Sequence, residues 1–244
     1  MSSQQTAIVT GAGKRVGAVV AKALITDGWQ VIAHVRRESD QVVAGAVKVV
    51  ADLADAGCAK AIFDAAAGLP PVRLLANNAA RFAFDDLSSF DSEEFDSHMA
   101  VNVRAPLLLM KAFAAADDGS GDALIVNILD AKLAAPNPDF LSYTLSKQAL
   151  AGASELAARA LAGRGIRVNA IAPSLMLRSP GQSEENFAAM HRANPLRRGV
   201  EPADVVAALR YLVAARSVTG QTLTIDGGQR FWSLARDVQF LERP

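Results

Sequence analysis

Short apolar, β-branched runs alternate with longer stretches of helical periodicity along most of this chain. Thr6–Thr10 is a run of the first kind, ending at Gly11; apolar residues then recur at helical spacing from Val16 to Leu24. The same patterns predict strands at Gln30–His34, Val47–Ala51, Val72–Ala76, Ala123–Ile128, Ile166–Ala172 and Thr222–Ile225. Helices are predicted over Asp91–Ala116, from about Tyr143 to Ala162, from about Pro202 to Ala214, and briefly near Glu184–His191. Near-continuous apolar strands such as Ala123–Ile128 suit a parallel sheet buried on both faces. With no linker or repeat, the expectation is a single doubly wound α/β domain of Rossmann type over residues 1–244, its mostly parallel seven-stranded sheet flanked by helices. Between Pro173 and Gly199 strands give way to Pro, Ser, Gly and charge, so residues 174–199 read as a substrate lid.

Composition narrows the partners. The 244 residues are 51% hydrophobic and 20% charged, enough to bury a large core. Lys plus Arg (25) equals Asp plus Glu (25), so no global positive field exists to hold nucleic acid or an anionic membrane, and a small molecule is the expected partner. The single Cys58 forms no internal disulfide, and His34, His98 and His191 lack metal-ligand spacing, so no metal is expected. The opening Met-Ser-Ser-Gln-Gln-Thr lacks a signal-peptide pattern, and a reducing, cytoplasmic location is the expectation.

Candidate chemistry sits at the strand ends. The turn Thr10-Gly11-Ala12-Gly13-Lys14-Arg15-Val16-Gly17 lets backbone N–H groups approach a phosphate at a helix N-terminus, although such a turn also serves as a plain structural corner. The second strand ends in Val35-Arg36-Arg37, where an NAD site carries an acid for the ribose 2′-hydroxyl; basic residues suit a 2′-phosphate, hence NADPH. Asp52, before Leu53, either accepts from an adenine amino group or caps the next helix. Asn77-Asn78-Ala79-Ala80 closes the fourth strand with the small and amide side chains that a ligand crevice needs. Asn102 is a polar amide in an apolar stretch, and either satisfies a neighbouring backbone group or bends its helix and holds a water.

Tyr143 and Lys147, four residues apart at the head of an Ala/Leu-rich run, lie on one face of a helix. An ammonium beside a phenol favours phenolate, so the pair is expected to pass a proton near neutral pH in the reduction of a C=O or C=N bond.

Taken in order, these motifs resemble the short-chain dehydrogenase/reductase family from about Thr6 to Gly228. Thr10-Gly11-x-x-x-Arg15-x-Gly17 matches the cofactor loop except at its middle glycine, Asn77-Asn78-Ala79-Ala80 looks like Asn-Asn-Ala-Gly, and Pro173-Ser174 departs mildly from Pro-Gly. Asn102, Tyr143 and Lys147 match three catalytic positions, but the family's serine thirteen residues before the tyrosine is here Asp130. Pteridine reductases and dihydromonapterin reductases carry aspartate there, with an arginine matching Arg15 and basic residues after the second strand. The resemblance therefore implies catalytic roles for Asp130, Tyr143, Lys147 and Asn102, and NADPH-dependent reduction of a pterin. It implies that the cofactor meets Gly11, Lys14, Arg15, Val16 and Gly17; His34, Arg36 and Arg37; Asp52 and Leu53; Asn78, Ala79 and Ala80; Lys147; and Pro173 and Ser174. Substrate would meet Arg15, Phe82, Asp130, Tyr143 and Leu175. Phe82 would stack on the pterin, worth about 0.5–1.5 kcal/mol beyond burial, unless it is a core residue and Phe84 competes. A homotetramer paired through the two long helices is implied, and the tail after Gly228 either covers a neighbour's site or packs on its own sheet. The competing expectations are a reductase of another carbonyl (keto-acyl, sugar or steroid-like) and a cofactor-binding regulator without turnover.

Overall fold

The structure, a computed structural model, describes residues 5–179 and 181–241. Strands β1 (Thr6–Val9), β2 (Gln30–Val35), β3 (Val47–Val50), β4 (Val72–Asn77), β5 (Ala123–Ile128), β6 (Ile166–Pro173) and β7 (Thr222–Ile225) form one sheet in the order β3-β2-β1-β4-β5-β6-β7. Every neighbouring pair is parallel. The strand order reverses between β1 and β4, which opens a crevice beyond their carboxyl ends.

Period-two alternation splits each apolar run between two layers. Ala7, Val9, Leu74, Ala76, Leu124 and Val126 face one cluster, shared with helices α1 (Arg15–Thr26) and α7 (Pro202–Ala214). Ile8, Ile32, Leu75, Ile125 and Val168 face the other, with α2 (Cys58–Asp64), α4 (Ala105–Ala116) and α5 (Leu141–Leu161). The sheet is therefore buried on both faces, as its near-continuous apolar runs require.

The helix predicted over Asp91–Ala116 is interrupted. Helix α3 (Ser92–Met99), capped by Asp91, passes into a π-helical turn at Ala100–Arg104 before α4 begins. Residues Ser92–Ala116 are long and apolar enough to cross a membrane, but Leu109, Met110 and Phe113 are buried against the sheet. Asn102 sits in the π turn, which turns its amide inward. Helix α6 is Glu184–His191.

Helix α5 begins two residues earlier than its periodicity suggests. Phe140 precedes it in the left-handed region at φ 55° and provides no capping side chain. Asp85, remote in sequence, supplies the missing acceptor: it takes the Ser142 N–H at 2.9 Å and the Ser142 hydroxyl, while its carbonyl takes the Leu141 N–H at 3.1 Å. A buried carboxylate at a helix N-terminus satisfies otherwise unpaired N–H groups and complements the dipole. Removing it leaves those donors buried, so Asp85→Ala is expected to cost about 1–3 kcal/mol in urea unfolding. It should also lower turnover more than cofactor affinity, because the first turn of α5 carries Tyr143.

Candidate active site

A continuous cavity of about 810 Å³ runs along the carboxyl ends of the strands. Its first wall is the turn between β1 and α1. Gly11, at φ 66°, lies so close to the start of α1 that a Cβ on Gly17 would stand 2.2 Å from the Gly11 carbonyl oxygen. Asn78 locks the turn by donating to the Thr10 carbonyl at 2.8 Å, and its own N–H reaches Thr10 Oγ1 at 2.9 Å. Lys14, the N-cap of α1, has no side-chain cap bond, so the first N–H groups of the helix are left for an anion. Lys14, Arg15, Val16 and Gly17 all line the cavity. Arg15 reaches across it to the carbonyls of Arg178 (3.1 Å) and Leu177 (3.4 Å), joining the turn to the segment after β6.

Arg36 and Arg37 follow β2, exposed and facing the cavity. The acids after them have other partners: Glu38 pairs with Lys48 at 3.0 Å, and Asp40 accepts from the Arg37 N–H at 3.1 Å. Asp52, Leu53, Ala79 and Ala80 line the same half. Asp52 also accepts from the Ala54 N–H at 2.9 Å, a local turn rather than a cap on α2, which starts at Cys58. Pro173, Ser174 and Leu175 contribute from the end of β6.

Two residues expected in the site do not line it. His34 is buried behind the glycine turn, where Nδ1 accepts from the Gly11 N–H at 3.2 Å and Nε2 faces the Ala51 carbonyl at 3.0 Å. Burial lowers its pKa, against the pull of the Ala51 bond and the Asp52 charge, so a neutral ring with the proton on Nε2 fits both bonds. Asn102 is also enclosed: Oδ1 accepts from the Arg81 N–H at 2.7 Å, and Nδ2 donates to the Arg81 carbonyl at 3.0 Å and to Ser146 Oγ at 2.9 Å. Of its two expected behaviours, the structure displays the satisfied backbone partner together with a distorted helix.

At the centre, Tyr143 Oη donates to Asp130 Oδ2 at 2.9 Å, while Asp130 Oδ1 accepts from the Lys132 N–H at 2.9 Å. Lys147 Nζ donates to the Ile128 carbonyl at 2.7 Å and lies 5.7 Å from the Tyr143 ring centroid. Burial raises Asp130 above the ordinary carboxylate range, although its two hydrogen bonds and Lys147 pull it down. Burial also raises Tyr143 well above its ordinary value, and the Asp130 charge adds to the rise. Lys147 is lowered to about 8 by burial, with Asp130 opposing. Desolvation and the carboxylate thus oppose phenolate, while the ammonium expected to favour it lies 5.7 Å from the ring centroid. The resting phenol is an acid.

Phe82 lines the cavity with its ring stacked on Phe140 (centroids 4.4 Å, 18°) and set edge-on to Tyr143 (4.8 Å, 89°). Phe84 packs edge-on to Phe140 from outside the cavity. Sequence reasoning passed over Lys132, Asn137 and Phe140, which line the cavity from the loop between Asp130 and Tyr143. It also left open the tail, where Trp232, Leu234, Asp237 and Val238 close over the chain's own cavity.

A glycine-locked phosphate turn at the switch point of a parallel sheet, opening onto a Tyr-Lys pair, defines an oxidoreductase that uses a nicotinamide cofactor. The chain belongs to the short-chain dehydrogenase/reductase family: a family model described as enoyl-(acyl carrier protein) reductase matches residues 11–230. Galactitol 2-dehydrogenase (L-tagatose-forming) of Cereibacter sphaeroides is 33% identical over 241 residues, covering 93% of this chain and 95% of that protein. L-xylulose reductase of Bos taurus is 32% identical over 91% of this chain and 95% of its own. The crystal structure of FolM alternative dihydrofolate reductase 1 from Brucella canis, complexed with NADP, superposes with a TM-score of 0.89 at 36% identity, over 95% of this chain and 96% of that one.

The lowered pKa of Lys147 separates activity from stability. Its ammonium is lost as pH rises through about 8, so kcat/KM for the cofactor, which reports the free enzyme, should fall above that pH. The unfolded chain binds the extra proton up to the ordinary 10.5, so this group makes folding stability rise from about pH 8 towards 10. Initial rates and urea midpoints measured over that window should move in opposite directions.

Proposed function

We propose that this protein reduces a pterin with NADPH. The observation that carries the proposal is the Asp130 carboxyl at the family's serine position, hydrogen-bonded to Tyr143 and walled by Phe82 and Phe140. A carboxyl accepts from the ring and amino N–H groups of a nitrogen-rich heterocycle, and the aromatic wall suits a flat ring.

The residues present fit NADPH. The turn from Gly11 to Gly17 and the N-terminus of α1 would hold the pyrophosphate, and the exposed Arg36 and Arg37 would meet a 2′-phosphate. When bound, NADPH supplies the hydride. Lys147 would hold the nicotinamide ribose. Tyr143 gives its proton to the substrate ring nitrogen next to the reduced carbon, and Asp130, which accepts from the phenol at 2.9 Å, holds it in place. Asn102 positions Arg81 and the turn of α5 around Ser146. Leu175 and residues 174–199 form the lid, tethered at its start by Arg15.

A sugar or polyol carbonyl is the second reading, favoured by the two dehydrogenase relatives. NADPH oxidation at 340 nm with dihydrobiopterin or dihydromonapterin, beside a panel of ketoses and simple ketones, decides between them. Pterin turnover is expected, reduced roughly 100-fold or more in Tyr143→Phe and in Asp130→Ser, the scale of a lost general acid. Turnover of ketoses alone overturns the pterin reading.

We also infer a homotetramer paired through α4 and α5, supported by the exposed Leu107, Leu145 and Leu156 on those helices. Light scattering should give the mass of four chains; a monomer would sink the inference.

A further inference from the structure

The C-terminal segment enters the substrate half of the cavity from the same chain. Arg236 Nε bonds both carboxylate oxygens of Asp139, at 2.9 and 2.8 Å, and the Asp237 N–H reaches Asp139 Oδ2 at 2.7 Å. Phe240 packs against Phe84 and Phe140, and the Leu241 carbonyl accepts from Asn186 of α6 at 2.6 Å. These contacts fix the backbone on both sides of Asp237. Its Oδ1 accepts from the Gln239 N–H at 3.1 Å and its Oδ2 from Lys132 Nζ at 3.3 Å, leaving further lone pairs towards the cavity it lines. Asp237, Asp130 and Tyr143 line the same cavity, and the Asp237 charge is the least of the causes that raise the other two.

Charge pairing around Asp237 limits what it can bind. Of the cations around the reacting centre, Lys132 is paired with Asp237 itself, Arg81 with Glu94 and Arg230 with Asp226, while Lys147 and Arg15 are engaged with backbone carbonyls. The acceptors are less satisfied: among the described residues nothing donates to the buried Asn137 Oδ1, which lines the same wall. A wall rich in acceptors, with its cations engaged by carboxylates or carbonyls, favours a neutral hydrogen-bond donor over an anionic group.

We propose that Asp237 is a specificity-determining residue, whose carboxylate accepts a hydrogen bond from a hydroxyl on the substrate's side chain and so fixes the substrate against Tyr143. The proposal rests on the pterin reading above.

Two dihydropterins that differ in the side chain test it: 7,8-dihydrobiopterin, which bears hydroxyls, and 6-methyl-7,8-dihydropterin, which has none. The native protein should favour the hydroxylated substrate roughly tenfold in kcat/KM, the size of one hydrogen bond to a charged group. Asp237→Ala should erase that ratio by raising KM for dihydrobiopterin well beyond any change shared with the methyl compound, with NADPH affinity followed by cofactor fluorescence. Asp237→Asn keeps an acceptor and the cap on Gln239, and should recover much of the preference; it also decides the matter if the alanine variant fails to fold. A purely structural role would slow both substrates alike. Equal slowing, an unchanged ratio in the variants, or a native protein indifferent to the side chain overturns the assignment while leaving pterin reduction standing. Turnover of neither pterin, with ketones reduced, removes the pterin reading and this proposal together.

Discussion

The buried ammonium of Lys147, donating to the carbonyl of Ile128, ties helix α5 to the last residue of strand β5. Much of the site's geometry follows from that bond. Asp130 lies two residues past Ile128 and Tyr143 one helical turn before Lys147, so fixing one pair of backbone points brings phenol and carboxyl within 2.9 Å. The helix start is held as firmly from the other side, where Asp85 supplies the acceptor that Phe140 lacks. A cation buried in this way is costly to keep charged, as its pKa of about 8 reflects, and the low-dielectric wall responsible also strengthens the interactions around it.

The two halves of the cavity are built from different materials. The cofactor half is backbone, glycine and exposed cations, a surface that recognises phosphate by close approach and charge. The substrate half is aromatic rings and acceptors, with its cations engaged by carboxylates or carbonyls. This division explains why similarity over the whole chain says little about substrate. Galactitol 2-dehydrogenase, L-xylulose reductase and FolM alternative dihydrofolate reductase 1 are all similar to this chain, at 32–36% identity over more than nine-tenths of its length. In the proposed reading substrate choice falls to a few side chains at the other end, among them Asp130, which stands where the resemblance implies serine.

Most of the fold was legible because a doubly wound sheet writes itself locally. Strands buried on both faces must be apolar throughout, and the glycine turn must be glycine where a Cβ would meet the Gly11 carbonyl. The Tyr143–Lys147 pair was legible for the same reason, since helical spacing alone puts it on one face. What escaped depends on contacts remote in sequence. His34 carries no local mark that it turns behind the glycine loop, and Asn102 was readable as a buried amide but not as the residue that grips Arg81. The tail reaches the site through Asp139, nearly a hundred positions away, and its charged, aromatic composition would serve equally on a neighbour's surface or its own. Such pairings are fixed by tertiary geometry, which no periodicity encodes.

Replacing serine with aspartate also bears on the direction of the chemistry. A hydroxyl beside the tyrosine leaves the phenol's pKa to the contest between desolvation and the neighbouring lysine. A carboxylate at the same place adds negative charge against the phenolate, and Lys147, engaged with a carbonyl and 5.7 Å from the ring centroid, does not offset it. Oxidising an alcohol requires the tyrosine to begin as a base, whereas reducing a C=N bond requires it to begin as an acid. With Asp130 in place Tyr143 rests as the acid, its hydroxyl donating to the carboxylate that holds it there. A tyrosine that starts as the acid suits the reductive direction, and under the proposed pterin reading the residue that holds it so is also the one that would meet the nitrogen-rich ring.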